Sequence, residues 1–387
     1  MTAGLPARAP LARISGLDGL RAISVTLVLL GHGASTIQDH PLLARVVHRV
    51  GMSELGVVTF FVISGYLITK LLMREQERTG GISLSGFYKR RVLRIFPAFY
   101  AYLLAIAVLS ALGFLAVTRV DLATAAAFLW NYGHAWRGPA STSVESSWYV
   151  GHFWTLSLEE QFYLLWPLSI IALGRWRAAW LAFGLVACMP LLRLASYFLA
   201  PESRGRENMM LHTGLDPIMF GCLLALCEER PRFAALRAFL GKGWVAVGAA
   251  VVACVIEPEL SSRIRGFNSV VSPWLISLCV VPVVSWAVNN PGAPFGRLLG
   301  ARAVVHVGVL SYSLYLWQQL FLTPVVGRQI APFPLNILLA VVAAEASYHL
   351  IERPFLALRH RAPPTAPAPT AGDAPVPVAQ RSEDAPA

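Results

Sequence analysis

Charge is scarce in this chain. Only 14% of its 387 residues are Asp, Glu, Lys or Arg, whereas a soluble protein carries about a quarter. Cysteine is scarce as well. Cys188, Cys222, Cys227, Cys254 and Cys279 show no C-x-x-C spacing and fall mostly inside apolar runs, so each reads as a small buried hydrophobe. No tandem repeat is visible. We expect no metal, and no second globular domain after the apolar region. The first apolar run lacks a small-residue cleavage site and carries Asp18, Arg21 and His32, which excludes a cleaved signal peptide.

What is abundant is apolar. Hydrophobic residues make up 56% of the chain, and its mean hydropathy is +0.58. Runs of about 20 apolar residues, each long enough to cross a bilayer, recur along most of the length. We expect an all-α membrane protein, a polytopic bundle of about ten transmembrane helices. The spans begin near Ile14, Met52, Phe96, Phe153, Ala178, Leu215, Trp244, Val271, Val304 and Leu335. Residues 1–360 form this domain. Residues 361–387 are rich in Pro and Ala without apolar periodicity and read as a disordered tail.

The net charge of +11 reads as topology, not as nucleic-acid binding. Arg74, Arg78, Lys89, Arg90, Arg91 and Arg94 share one loop region, which the positive-inside bias places in the cytoplasm together with both termini. The longest non-spanning stretch, Asp121 to His152, then lies on the outer side, and Trp136, Trp148 and Tyr149 suit an aromatic belt there.

Against this background the ionisable residues inside spans stand out. Arg21 and His32 are eleven residues apart, nearly three helical turns. They share a face and stand about 16 Å apart along the axis. Neutral imidazole is a competent general base near pH 7. Asp18 is either a local i,i+3 partner of Arg21 or part of the same site. Glu159 opens the fourth span at its outer end, where it is expected to orient His32 or stabilise its protonated form. Tyr163 lies i+4 from Glu159 on the same face. Arg91 and Arg94 are i,i+3 neighbours, either a phosphate grip or a topological anchor. Phe60 to Ile68 places small residues in a span, a sign of close helix packing. Tyr312 and Tyr315 lie in Ser311 to Gln318, a span lined with hydroxyls. Glu345, His349 and Glu352 form an i, i+4, i+7 stripe in the last span.

Taken together, these stretches resemble the bacterial membrane acyltransferase-3 family of O-acyltransferases. The matching segments are Leu17 to Ala22 with His32, Phe60 to Ile68, Arg90 to Pro97, Trp154 to Tyr163, Ser311 to Leu316 and Glu352-Arg353-Pro354, in the family's order. The resemblance implies a ten-span fold in the bacterial inner membrane that moves an acetyl or other short acyl group from acyl-CoA, most simply acetyl-CoA, to a hydroxyl of a carbohydrate acceptor. It also implies that Arg21, His32, Arg91 and Arg94 are functional positions. His32 and Glu159 are the candidate catalytic residues. Arg21, Arg91 and Arg94 are the candidate donor-binding residues, and Tyr163, Tyr312 and Tyr315 the candidate substrate contacts. The segment around Asp216 departs from the family pattern, because Gly214 stands where an Arg is usual. Some relatives carry a fused extracytoplasmic esterase-like domain; we expect this chain to complete transfer alone or with a partner. The rival reading is a transporter, with Glu345 and His349 as a proton relay. It predicts inverted repeats, and none is detected.

Overall fold

In lipid, a segment must satisfy its backbone hydrogen bonds internally, and a single chain of apolar runs does so as helices. The computed structural model describes residues 14–37, 42, 44–45, 47, 52–135, 144–200, 204–228, 230–325 and 330–358. The expected tail and Trp136 lie outside these residues. Among the described residues the regular structure is helical, without a strand.

The principal helices are α1 (Ser15–Gly33), α2 (Ser53–Thr79), α3 (Leu84–Ala111), α4 (Phe153–Leu199), α5 (Asp216–Glu228), α6 (Gly243–Val251), α7 (Ser272–Asn289), α8 (Arg302–Phe321) and α9 (Leu335–Ser347). Among the described residues, seven helical segments are long and apolar enough to cross a membrane, fewer than the ten expected, and the difference has physical causes. Helix α4 is continuous by hydrogen bonding but turns at Gly174 (φ 73°, ψ 163°), a conformation open to glycine, so two expected spans count as one. Helix α5 is only 13 residues long, the short helix Leu211–Gly214 preceding it. Helix α8 is continuous, but hydroxyl and amide side chains from Ser311 to Gln319 interrupt its apolar run. The third span also starts earlier than Phe96, because Ser83 caps α3 by accepting from the Gly86 amide, and the helix runs on through Pro97.

The bundle is drawn together where glycine lets backbones touch. A Cβ on Gly65 would run into the Ile218 carbonyl oxygen, and one on Gly221 into that of Val62, so α2 and α5 interlock reciprocally. Gly308 meets the Asp18 carbonyl oxygen in the same way, locking α8 onto α1. The segment between α3 and α4 forms short helices at Arg119–Ala126, Trp130–Ala135 and Val144–Gly151. It is tied to α4 by Gln161, which donates to the Phe128 carbonyl oxygen (2.9 Å) and exchanges bonds with Asn131 (3.1 Å).

Asp216 finds its cation on another helix. Arg193 of α4 binds it bidentately at 2.7 and 2.9 Å and also donates to the Thr213 and Val270 carbonyl oxygens. Both side chains are 0% exposed. A Cβ at Gly214 would collide with the Asn208 carbonyl oxygen, so no larger residue fits that position here. Removing one partner of such a buried pair costs about 3–5 kcal/mol, whereas an apolar replacement of both is tolerated. Arg193→Met should therefore lower the thermal unfolding temperature in detergent sharply, and Arg193→Met with Asp216→Leu should recover most of it.

Candidate functional site

Helix α1 carries one candidate residue at each end of a longitudinal path. Arg21 faces an inner cavity, bounded by α1, α2, α3, α4 and α8 and enclosing about 870 Å³ with its mouth. Its polar side is Arg21, Arg91, Arg94, Glu159, Glu160 and Ser311, and Tyr163, Tyr312 and Tyr315 also line it. Phe60, Phe61, Ile63, Leu67 and Ile95 contribute apolar lining. A second cavity lined by Ile14, Asp18, Glu352 and Leu356 shares Arg21, Arg94 and Tyr312 with it. The inner cavity thus continues toward the end of the bundle where the described chain begins and ends.

Three guanidiniums meet here because α1 and α3 bring them to one volume, Arg91 and Arg94 one turn apart on α3. Their mutual repulsion is offset by carboxylates. Asp18 and Glu159 lie within electrostatic reach of Arg21, and Glu159 is also opposed by Arg91 and Arg94. The Ser64 hydroxyl bonds to the Tyr163 hydroxyl at 2.5 Å. Tyr312 donates to the Ile95 carbonyl oxygen at 2.8 Å. The Arg21 Nε, Glu160 Oε1 and Ser311 Oγ atoms are buried with no hydrogen-bond partner among the described residues. Buried polar atoms of this kind are normally satisfied, and here they edge a cavity able to take a polar ligand.

His32 occupies a different space. It lines an outer cavity with Glu54, Trp130, His152, Trp154, Arg206 and Gln319. The two cavities have Val57, Phe61 and Tyr315 in common, so one layer of side chains separates them. The expected contact between Glu159 and His32 is therefore replaced. Glu159 is six residues into α4, about 9 Å below its start by helix rise, and joins the arginines. The His32 Nδ1–H instead donates to Gln318 Oε1 at 3.0 Å, which leaves the lone pair on Nε2. Trp148 packs edge-on against the ring at 5.4 Å.

Sequence reasoning missed several residues of this arrangement. His152 repeats the His32 device, its Nδ1 bonded to Gln319 Oε1 at 2.6 Å. Its carbonyl oxygen accepts from Thr155 (2.8 Å) and Tyr315 (3.2 Å), whose hydroxyls are 2.8 Å apart. Ser64 belongs to a small-residue stretch that predicts packing alone, yet it bonds to Tyr163. Two adjacent amides, Gln318 and Gln319, inside a span were the available signal. Glu352 leaves the proposed stripe with Glu345: it is buried and accepts from Ser313.

Comparison with known proteins places the chain. The family model described as "Acyltransferase domain" matches residues 14–345, and the chain belongs to this acyltransferase-3 family. It is 30% identical over 366 residues to O-acetyltransferase OatA of Staphylococcus aureus, an alignment covering 88% of this chain and 57% of that protein. A putative O-acetyltransferase of Staphylococcus aureus strain COL is 28% identical over 364 residues, with the same coverage. The chain thus spans little more than half the length of these curated relatives. No solved structure matches it.

The two cavities open toward opposite ends of the bundle. With the native thiols replaced, cysteines at Asp18 and at Ser147 should therefore react with a membrane-impermeant thiol reagent from opposite faces of sealed vesicles. Labelling of both from one face would contradict the arrangement.

Proposed function

We propose that the chain is a membrane O-acyltransferase that moves an acetyl or other short acyl group from acyl-CoA to a hydroxyl of a carbohydrate acceptor. The observation that carries this reading is the pair of cavities back to back, cationic on one side and imidazole-bearing on the other, with one shared wall. Family membership favours transfer chemistry over the transporter alternative.

Acyl-CoA enters the inner cavity from the cytoplasm, the side to which the Arg-rich loops point. The protein lies in the bacterial inner membrane with both termini on that side. Arg91, Arg94 and Arg21 hold the donor's phosphates through charge-assisted bonds, and the apolar wall takes the acyl arm. The acceptor, a surface polysaccharide, an O-antigen sugar or a glycosylated metabolite, occupies the outer cavity, where Trp130 and Trp154 offer ring faces. His32 Nε2 takes the proton of the acceptor hydroxyl as its oxygen attacks the thioester carbonyl. The C–S bond breaks, and the proton passes to the departing thiolate. Tyr315, which lines both cavities, stands where the acyl group crosses. Gln318 is a positioning residue that holds the imidazole tautomer.

Incubating purified protein in nanodiscs with labelled acetyl-CoA and a panel of sugars, followed by mass spectrometry, tests the reading; no labelled product from any hydroxyl acceptor would reject it. His32→Ala should lower the rate by about 10²–10⁴, the usual contribution of general base catalysis, while membrane insertion is retained. Gln318→Ala should reduce kcat at least about tenfold with donor KM unchanged, the signature of an interaction used only in the transition state. Arg91→Ala or Arg94→Ala should weaken donor binding by about 1.5–3 kcal/mol. The loss should shrink for donors lacking the nucleotide phosphates, whereas an equal loss would assign these residues to topology alone.

A further inference from the structure

Arg21, Arg91, Glu159, Arg193 and Asp216 are buried or line a cavity. One intramembrane cluster is placed differently. Between α8 and α9, His306 Nε2 lies 2.7 Å from Glu345 Oε1, and His349 Nε2 lies 3.4 Å from Glu345 Oε2. Their side chains are 51%, 35% and 47% exposed for His306, Glu345 and His349, on the outer surface of the helix pair. Glu345 is the eleventh residue of the 23-residue segment Leu335–Ala357. Ionisable groups at such depth almost always face protein or a wet cavity, and this cluster faces outward.

It also sits on an ordered stripe. Leu335, Leu338, Val342, Glu345 and His349 follow the alternating three- and four-residue spacing of a heptad seam. Leu335, Leu338 and Val342 are 46%, 57% and 54% exposed. The seam ends at the π turn Tyr348–Glu352, after which Glu352 points inward to Ser313. An apolar seam with polar groups inside it is how transmembrane helices associate, packing supplying contact and the polar groups setting register.

We propose that this stripe is the interface with a second copy of the chain, α9 against α9 about a two-fold axis normal to the membrane. The second copy is the occupant whose chemistry matches. In the same membrane and orientation it presents its own His306–Glu345–His349 cluster at the same depth. The joined clusters hold two carboxylates among four imidazoles, so each carboxylate gains donors from the other copy and all six groups leave lipid. An apolar partner helix would cover the leucines and strand the cluster. Two-fold homodimers are also the commonest closed assembly.

The test is disulfide crosslinking in native membranes. Leu338→Cys and Val342→Cys are introduced separately after replacing the native cysteines, with Leu168→Cys, exposed on α4, as the lipid-facing control. Dimers should form at 338 and 342 and not at 168. Mass photometry of the uncrosslinked protein in nanodiscs should exceed the empty disc by about twice the 42.1 kDa chain mass. The near-isosteric Glu345→Gln should lower the crosslinked fraction at 342 by about three- to tenfold, the scale of polar interactions between membrane helices. The proposal is overturned by monomers without crosslinks at 338 and 342, by dimers joined through 168, by an adduct at 342 of any other mass, or by a Glu345→Gln variant that crosslinks as fully as the parent.

Discussion

Three guanidiniums gathered inside a lipid-surrounded bundle are tenable only if carboxylates, hydroxyls and an open cavity share their field. Arg21, Arg91 and Arg94 meet that constraint together with Glu159, Asp18 and the Ser64–Tyr163 pair, and much of the architecture follows from it. Helix α3 starts a dozen residues before its apolar run so that Arg91 and Arg94 stand in the wall of the cavity and not at its rim. Glu159 reaches the same level six residues into α4, nearly two turns from its start. The glycine contacts between α2 and α5 and between α1 and α8 then hold the walls at backbone distance, since packing more than apolar burial must join helices in lipid.

The separation of roles along α1 follows from helix geometry alone. Eleven residues place Arg21 and His32 about 16 Å apart, too far to touch one reacting atom, and the structure assigns them to the two cavities. The donor site and the base that we propose are thereby kept in different electrostatic surroundings. An imidazole among three arginines would meet cations as it gained a proton. At Gln318 it meets a neutral amide oxygen instead.

How much of this was legible in the sequence depended on range. Helix existence, the shared face of Glu159 and Tyr163 and the spacing of Arg91 and Arg94 are properties of one helix, and pattern reveals them. Gln318 meets His32 across 286 residues of chain, and Arg193 meets Asp216 from a neighbouring helix. Periodicity carries no information on such pairings. Glu159 was misdirected to His32 for a related reason: the level of a residue in the bilayer depends on where its helix starts, and apolar runs blur that start. The turn at Gly174, by contrast, falls between the two spans expected to begin near Phe153 and Ala178.

Helix α8 shows how one span can serve several environments. Successive residues turn by about 100°, so Gln318 and Gln319 reach different histidines, His32 on α1 and His152 beside α4. One turn earlier Tyr315 stands between the cavities, and Tyr312 reaches α3. On the far side Ser313 holds Glu352 and His306 holds Glu345. A rotation of α8 large enough to move one of these contacts must move the others, because a helix turns as a rigid body. Pairing of two chains through α9 would bear on α8 through His306. The imidazoles of the outer cavity and the outward-facing cluster thus share α8 as their common support.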